Sequence, residues 1–567
     1  MLSSTENTFF LLGNGAYRFG NLADFAAGRP NRYTRNVRAC PSPLQNNAAG
    51  QPVICPEMDV PVAKFQALEW SLYAQDEWQV TDRLLVTPGV RFGGTDFRDD
   101  PAEVPAVETA FGVATGVSPD LTGISPRLSF VYEFPGEQAQ VVRGGVGLLI
   151  GRVPNVLVGN VFQAERPLLS VTCTGANIPT FNLNELLSSP TGENNPAACA
   201  GGQAPTGRPE VAVFDEDFEL PRTLKANLGF ERAFASGTQV GVDLIYSRTW
   251  ENFNVFDLNL RPAQFNLGVE GRPVFVPAGA FNPVFTAGAD RLANNAFDRV
   301  FLNASEAEAR AFSVVLELDQ RVRDVLQVGA RYAYTRASDN SSFFCCTSAE
   351  GFNVPTSGNP NDLGGPGDED RGTWGPSDFD RRHTFVFNAL WDAPLGFRVS
   401  GIWRSTSGTP WTPIVDGDVN GDGVENDRAF VGANLQFTNA AEAAQMADLL
   451  AEHECLAGQE GRIARRNSCR NPWFHSLDLR LSKEIRTVGR QRAELIADVF
   501  NVLNGLNDKW GRLVGVFGDQ RNLLIARGFT AANGQVTYEV NDRFAEELPL
   551  GFDPFQFQVQ LGLRYSF

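Results

Sequence analysis

The chain ends on PFQFQVQLGLRYSF, residues 554–567. From Phe555 to Phe567 the odd positions are Phe, Phe, Val, Leu, Leu, Tyr and Phe, and the even positions are Gln, Gln, Gln, Gly, Arg and Ser. This unbroken period of two belongs to a strand with one apolar and one polar face. Such a run, at roughly 3.3 Å per residue, reaches about 43 Å, which tilted by ~45° covers the ~30 Å of a bilayer core. Strands of soluble proteins are about half as long.

The same alternation recurs upstream in pairs of segments joined by very short polar turns. TLKANLGFERAF (223–234) sets Leu224, Ala226, Leu228 and Phe230 against Lys225, Asn227 and Glu231, then turns at Ala235–Gly237 into TQVGVDLIYSRTW (238–250). Further hairpins turn at Arg323 and Asp324, at Ala393 to Leu395, and at Thr487 to Gly489; two more turn at Thr81 to Arg83 and Pro135 to Gln138. Between the hairpins lie segments of about 27 to 70 residues rich in Gly, Pro, Asn and Asp, which read as irregular loops. Short turns alternating with long loops are the pattern of an up-and-down barrel, with every turn on one side of a membrane and every loop on the other. The expected fold is therefore all-β, a transmembrane antiparallel β-barrel of about fifteen strands, counted from TFFLLGNGAY (8–17). Because barrels of this kind carry even strand numbers, an odd count predicts further strands outside this chain.

The composition agrees. No run of about 18 apolar residues could form a transmembrane helix, so a membrane would be crossed by strands. No linker or composition break divides the 567 residues, which read as one barrel domain over 1–567. The net charge of −18, with no cluster of Lys and Arg, speaks against nucleic acid as a partner. The acidity gathers in segments such as FDEDFELP (214–221) and GDEDRGTWGPSDFD (367–380), which read as solvated loops or as attraction for a cation or basic ligand. The opening MLSSTENTFFLLGNGAYRFG lacks the features of a secretory signal; either the chain is not exported or its start lies elsewhere.

WSLYAQDEWQVTDRLLVTPGVRF, SPRLSFVYEF, VVRGGVGLLIGR, DFDRRHTFVFNALWDAPLGFRVSGIWRSTSGTP, DLRLSKEI, LIADVFNVLN and the terminal LGLRYSF, in this order, resemble the barrel of TonB-dependent outer-membrane receptors, especially the Oar-like subgroup. The resemblance spans roughly residues 8 to 567. It implies the cell outer membrane and its lipid as surroundings, a barrel of 22 strands around a plug domain, and uptake of a large nutrient or metal complex whose identity no motif reveals. It also implies that the plug and the first seven strands are absent here, so that TonB is a partner only if a plug is supplied. The terminal Phe567 and Tyr565 resemble the signal read by the barrel assembly machinery. A second reading is an adhesion or structural scaffold protein working through its extracellular loops.

Six cysteines pair within single expected loops: Cys40 with Cys55, Cys173 with Cys199, and Cys455 with Cys469. In an exported chain they predict three disulfides, each contributing ~3 kcal/mol by loop-closure entropy. Cys345 and Cys346 are adjacent, and their state stays open. Metal binding by cysteine lacks any C-x-x-C spacing. In DGDVNGDGVEND (416–427), Asp418, Asn420 and Asp422 alternate before Gly423 as in the first half of a calcium-binding loop, with Asn426 or Asp427 as a late ligand. Possible calcium is the only cofactor expected, and the alternative is a turn built from Asp, Asn and Gly. Close carboxylates without a cation would leave that segment loose.

No enzyme constellation emerges: His383, His453 and His475 lack the spacing of a metalloprotease, and no phosphate-binding loop is present. Lys225, Asp243, Glu317, Asp478, Arg480 and Glu494 are expected to face the barrel interior. Trp70, Trp78, Phe134, Phe234, Trp250, Trp391, Trp403 and Phe567 fall at expected strand ends, as interfacial girdles do. Trp374 and Trp411 are the candidates for a sugar platform.

Overall fold

The computed structural model describes residues 2–7, 15–19, 22–38, 63–101, 103–119, 121–162, 168–184, 196, 198–200, 208–285, 287–342, 374–486, 491–516, 520–544, 546, 548–549 and 556–567. Fourteen described strands form one antiparallel wall. They are β1 (Leu2–Asn7), β2 (Ala63–Gln75), β3 (Leu84–Phe97), β4 (Leu121–Glu133), β5 (Gln140–Ile150), β6 (Arg222–Ala233), β7 (Thr238–Asp257), β8 (Arg299–Val322), β9 (Leu326–Asp339), β10 (His383–Ala393), β11 (Phe397–Thr406), β12 (Phe474–Arg486), β13 (Arg492–Phe500) and β14 (Gln558–Ser566). Each pairs with the next in chain order. Five of the six short connections that the sequence predicts lie in described residues and join neighbouring strands of this wall; the sixth, Thr487 to Gly489, lies outside the described residues. Positive φ at Arg323, Asp324, Leu395 and Gly237 makes those reversals tight.

One expectation is corrected, and one falls partly outside the described residues: residues 8–14 of TFFLLGNGAY, the segment from which about fifteen strands are counted, are not among them. The terminal strand is nine residues long, Gln558–Ser566, where thirteen were expected. The reason is local: the backbone N–H of Phe557 donates to Asn504 Oδ1 (3.2 Å), outside the strand ladder. Nine residues still match the usual length of a tilted membrane-crossing strand.

The alternation sorts the wall into two faces. Leu72, Phe92, Ile124, Leu128, Leu228, Leu244, Leu316, Leu481, Leu561 and Leu563 are exposed on the outward face, which no hydrophobic core covers among the described residues. Trp78, Phe134, Phe234, Trp391 and Phe567 mark its short-turn end. Towards the opposite end His383 stacks on Trp473 (ring centroids 5.8 Å), Trp473 on His475 (6.3 Å) and His475 on Trp403 (6.4 Å). Two of the three histidines thus belong to an interfacial aromatic band.

The long connections are not merely irregular. The described residues of those over 258–298, 407–473 and 501–557 fold together around a shared core that includes Leu267, Val276, Val415, Met446, Leu523 and Tyr538. Within it a five-stranded sheet runs in the order Gln436–Phe437, Gln535–Val540, Gln520–Thr530, Pro410–Asp416 and Cys469–Arg470. Pro410–Asp416 and Gln520–Thr530 pair in parallel. A helix, Ala440–Glu452, starts at Asn439, whose Oδ1 accepts from Ala441 N (2.9 Å) and Glu442 N (3.3 Å), and buries Met446, Leu449 and Leu450. Trp411 is 7% exposed and packs on Phe544, which removes it as a sugar platform; Trp374 lies under the guanidinium of Arg310. Strands β7 and β8 continue into this cap, where Glu210–Phe214 adds in parallel to the first residues of β8.

Candidate functional site

Beneath the cap, the inward face of the wall carries charge in pairs. On β5, β6 and β7, Arg143 donates to Glu231 and to both oxygens of Asp243 (3.0 and 3.2 Å). Arg331 joins Asp319 (2.6 Å) and Glu317 (3.5 Å), Arg404 joins Asp478 (3.0 Å), Arg480 joins Asp498 (2.5 Å), and Arg564 joins Glu494 (3.5 Å). Of the six residues expected inside, Asp243, Glu317, Asp478, Arg480 and Glu494 are therefore members of ion pairs; Lys225 lies on the same face of β6, opposite Gly147 and Ser247. Charges at alternate positions of adjacent strands meet across the ladder, so a polar interior follows from period two and register together.

At the loop end of β2 to β5 this face opens into a cavity of about 840 Å³, lined in part by Glu69, Ser71, Arg91, Thr95, Ser125 and Arg152. Arg152 Nη2 lies 3.3 Å from Glu69 Oε2. Its floor depends on Gly123, where a Cβ would stand 2.8 Å from Ile150 Cγ1. The cavity thus offers both signs of charge and several hydroxyl groups to a polar solute.

The expected calcium motif lies in the cap, and it is buried where a loose loop was expected: Asp418 and Asn420 are 1% exposed, Asp422 6% and Asp427 0%. The segment closes on itself through side-chain oxygens. Asp418 accepts from Ala287 N (2.7 Å), Asp422 N (3.1 Å) and Gly423 N (2.9 Å). Asn420 Oδ1 accepts from Asp422 N (2.9 Å), and Asp422 Oδ1 from Val424 N (2.8 Å). Asp427 Oδ2 accepts from Val419 N (2.8 Å) and Asn420 N (3.2 Å), while its Oδ1 takes Arg272 Nη1 (3.2 Å). Gly423 has φ +90°, and a Cβ there would collide with Arg291 Nε, so glycine is required by both conformation and space. Burial, and then the charge of Asp422, push the carboxyl of Asp418 up to about 7; the N–H donors act the other way. Among the described residues no group of three or more His, Cys, Asp or Glu is placed to hold a metal ion.

Residues that the sequence reading missed hold this centre. Arg272 is fully buried, donates to Glu270 Oε2 (3.0 Å) and to the carbonyl of Arg428, and Tyr538 donates to Glu270. Burial and the neighbouring Glu270 raise the phenol of Tyr538 well above its ordinary range. No local motif marks Glu270, Arg272 or Tyr538. The helix 440–452 could have been found from Asn439 followed by AAEAAQMADLLAE.

Two disulfides are present among the described residues. Cys173 and Cys199 have Cα atoms 5.4 Å apart, and Cys455 and Cys469 5.1 Å apart; the second ties the short helix Glu454–Ala457 to the cap sheet. Cys40, Cys55, Cys345 and Cys346 lie outside the described residues.

Among solved structures the chain is similar to the outer membrane transporter YddB from Escherichia coli (11% identity, 83% of this chain and 47% of that chain, TM-score 0.41). It is similar also to the copper transporter OprC (9% identity, 95% and 55%, TM-score 0.41) and to the siderophore receptor PiuA from Acinetobacter baumannii (8% identity, 94% and 51%, TM-score 0.40). The chain spans about half the length of these proteins. No curated protein matches. Residues 3–508 match the family described as an outer membrane beta barrel domain. With its lipid-facing outward surface, its paired charges inside and its segregated turns and loops, the chain belongs to this family, and its place is the cell outer membrane.

Proposed function

We propose that the chain forms the wall and extracellular cap of a TonB-dependent receptor of the Oar-like subgroup, admitting a large polar nutrient or metal complex. The observation that carries this reading is the continuity of the charged inward face with the mixed-charge cavity at the loop end. A polar interior is common to membrane barrels, but a wall built only as an anchor has no need of a mixed-charge opening at its loop end. TonB enters the reading with a plug domain, which couples energy to the barrel in the family resembled.

The folded cap favours a second reading, an adhesion scaffold, because loops that bury a common core present a fixed surface. The two are separated by deleting the gene and growing the strain on a panel of large nutrients and metal complexes. Transport predicts a nutrient whose use is lost in the deletion strain, lost again when TonB is removed, and restored by the wild-type gene but not by Glu69→Ala with Arg152→Ala. Normal growth on every compound, together with loss of attachment to surfaces, would discard the transporter in favour of the scaffold.

A further inference from the structure

The outward face of the wall is apolar over its middle, and arginines gather near its loop end. Arg248 of β7 and Arg310 of β8 are direct cross-strand partners. Arg336 of β9 is the partner of Phe312, two residues from Arg310 on the same face. All three share the parity of the exposed Leu244, Tyr246, Phe312 and Leu316, so they project outward from the wall. Like charges directly opposite one another on a sheet repel. One carboxylate, Glu308, stands between the first two, with its Oε2 3.4 Å from Arg248 Nη2 and 3.3 Å from Arg310 Nη2. The cluster keeps a net positive charge, and Trp374 under Arg310, 5.2 Å from ring centroid to guanidinium carbon, orients one of its planes.

On the same face, further into the membrane, lies a groove of about 370 Å³ lined by Leu316, Leu318, Tyr332, Phe385, Phe387 and Trp403. From Arg310 to Leu316 the strand advances roughly 20 Å at ~3.3 Å per residue, the scale of a lipid acyl chain. We propose that this face binds a phosphate-bearing lipid of the extracellular leaflet, its phosphate on Arg248, Arg310 and Arg336 and an acyl chain along the groove. Guanidinium matches phosphate through paired N–H donors. A neutral lipid would leave the arginine repulsion uncompensated, and a soluble anion would have no use for the groove. The inference rests on membership of the barrel family and is independent of what the interior conducts.

The test uses the full chain purified in dodecyl maltoside, incubated with diphosphoryl lipid A or with the same lipid after removal of its phosphates, and repurified for lipid analysis. Retention of the phosphorylated form is expected to fall about tenfold when Arg248, Arg310 and Arg336 are all replaced by Gln. Ala330→Trp, which fills the groove and spares the arginines, should reduce it as well. Heat-modifiable migration on a gel reports whether each variant is folded. Should the triple variant not fold, Glu308→Gln, which removes the competing carboxylate, should raise retention above wild type. Equal retention of the two lipids, retention unchanged in the folded triple variant, or no gain in Glu308→Gln would each overturn the proposal.

Discussion

Arg272 and Asp427 are 155 residues apart in the chain and 3.2 Å apart in the cap. Both side chains are fully buried, and Glu270 completes the group 3.0 Å from the same guanidinium. One arginine therefore joins the connections over 258–298 and 407–473, and Tyr538, bonded to Glu270, brings in the third. Removing one partner of a buried pair leaves an uncompensated charge, which typically costs 3–5 kcal/mol, whereas the intact pair contributes little net stability. Arg272→Ala should thus destabilise the cap by about 3–5 kcal/mol and leave the wall assembled. Limited proteolysis should cut between residues 410 and 470 while heat-modifiable migration stays normal; an uncut cap would show that Arg272 is dispensable.

The segment 416–427 is closed by its own N–H donors and by Arg272. If calcium also holds it, chelation should raise protease sensitivity within residues 410 to 435 and lower the thermal melt; an unchanged pattern and melt would discard the calcium reading. A rise of the melting temperature with added calcium, abolished in Asp422→Ala, would show instead that an ion holds the turn, by the RT ln(1 + [L]/Kd) expected for binding to the folded form alone.

The pH dependence of cap stability has a definite sign. Asp418 is raised from 3.8 to about 7, first by burial and then by Asp422. A carboxyl raised on folding is penalised in its charged form, so its full stabilisation is present below about pH 4 and is lost as pH rises towards 7. Asp422→Asn removes the neighbouring charge and should flatten that loss. Melting curves at intervals between pH 4 and 8 measure it, and parallel curves for wild type and variant would refute the coupling of the two carboxyls.

Cys455 and Cys469 close a short loop, with a sequence separation of 14, between a helix and a strand of the cap sheet. Replacing both by Ser should lower cap stability by ~3 kcal/mol through the freedom regained by the unfolded chain. Non-reducing peptide mapping should join Cys455 to Cys469 and Cys173 to Cys199. Free thiols at these four positions would remove both cross-links and this source of stability.

The amino-acid sequence by itself determined the strands, the short turns among the described residues and the two faces of the wall. Those features depend on neighbours in the chain: side chains at i and i+2 share a face of a strand, and a hairpin turn sets the register of the two strands it joins. From that came the membrane-facing leucines and the inward Asp243, Glu317 and Asp478. Tertiary structure alone decided what the long connections do. Thr412 pairs in parallel with Gln520, and Arg272 meets Asp427, although nothing in either local segment names its partner. Such contacts are selected by burial and charge compensation among segments brought together by the wall. For the same reason DGDVNGDGVEND shows its alternating oxygens locally but not the guanidinium of Arg272 that the fold places against Asp427.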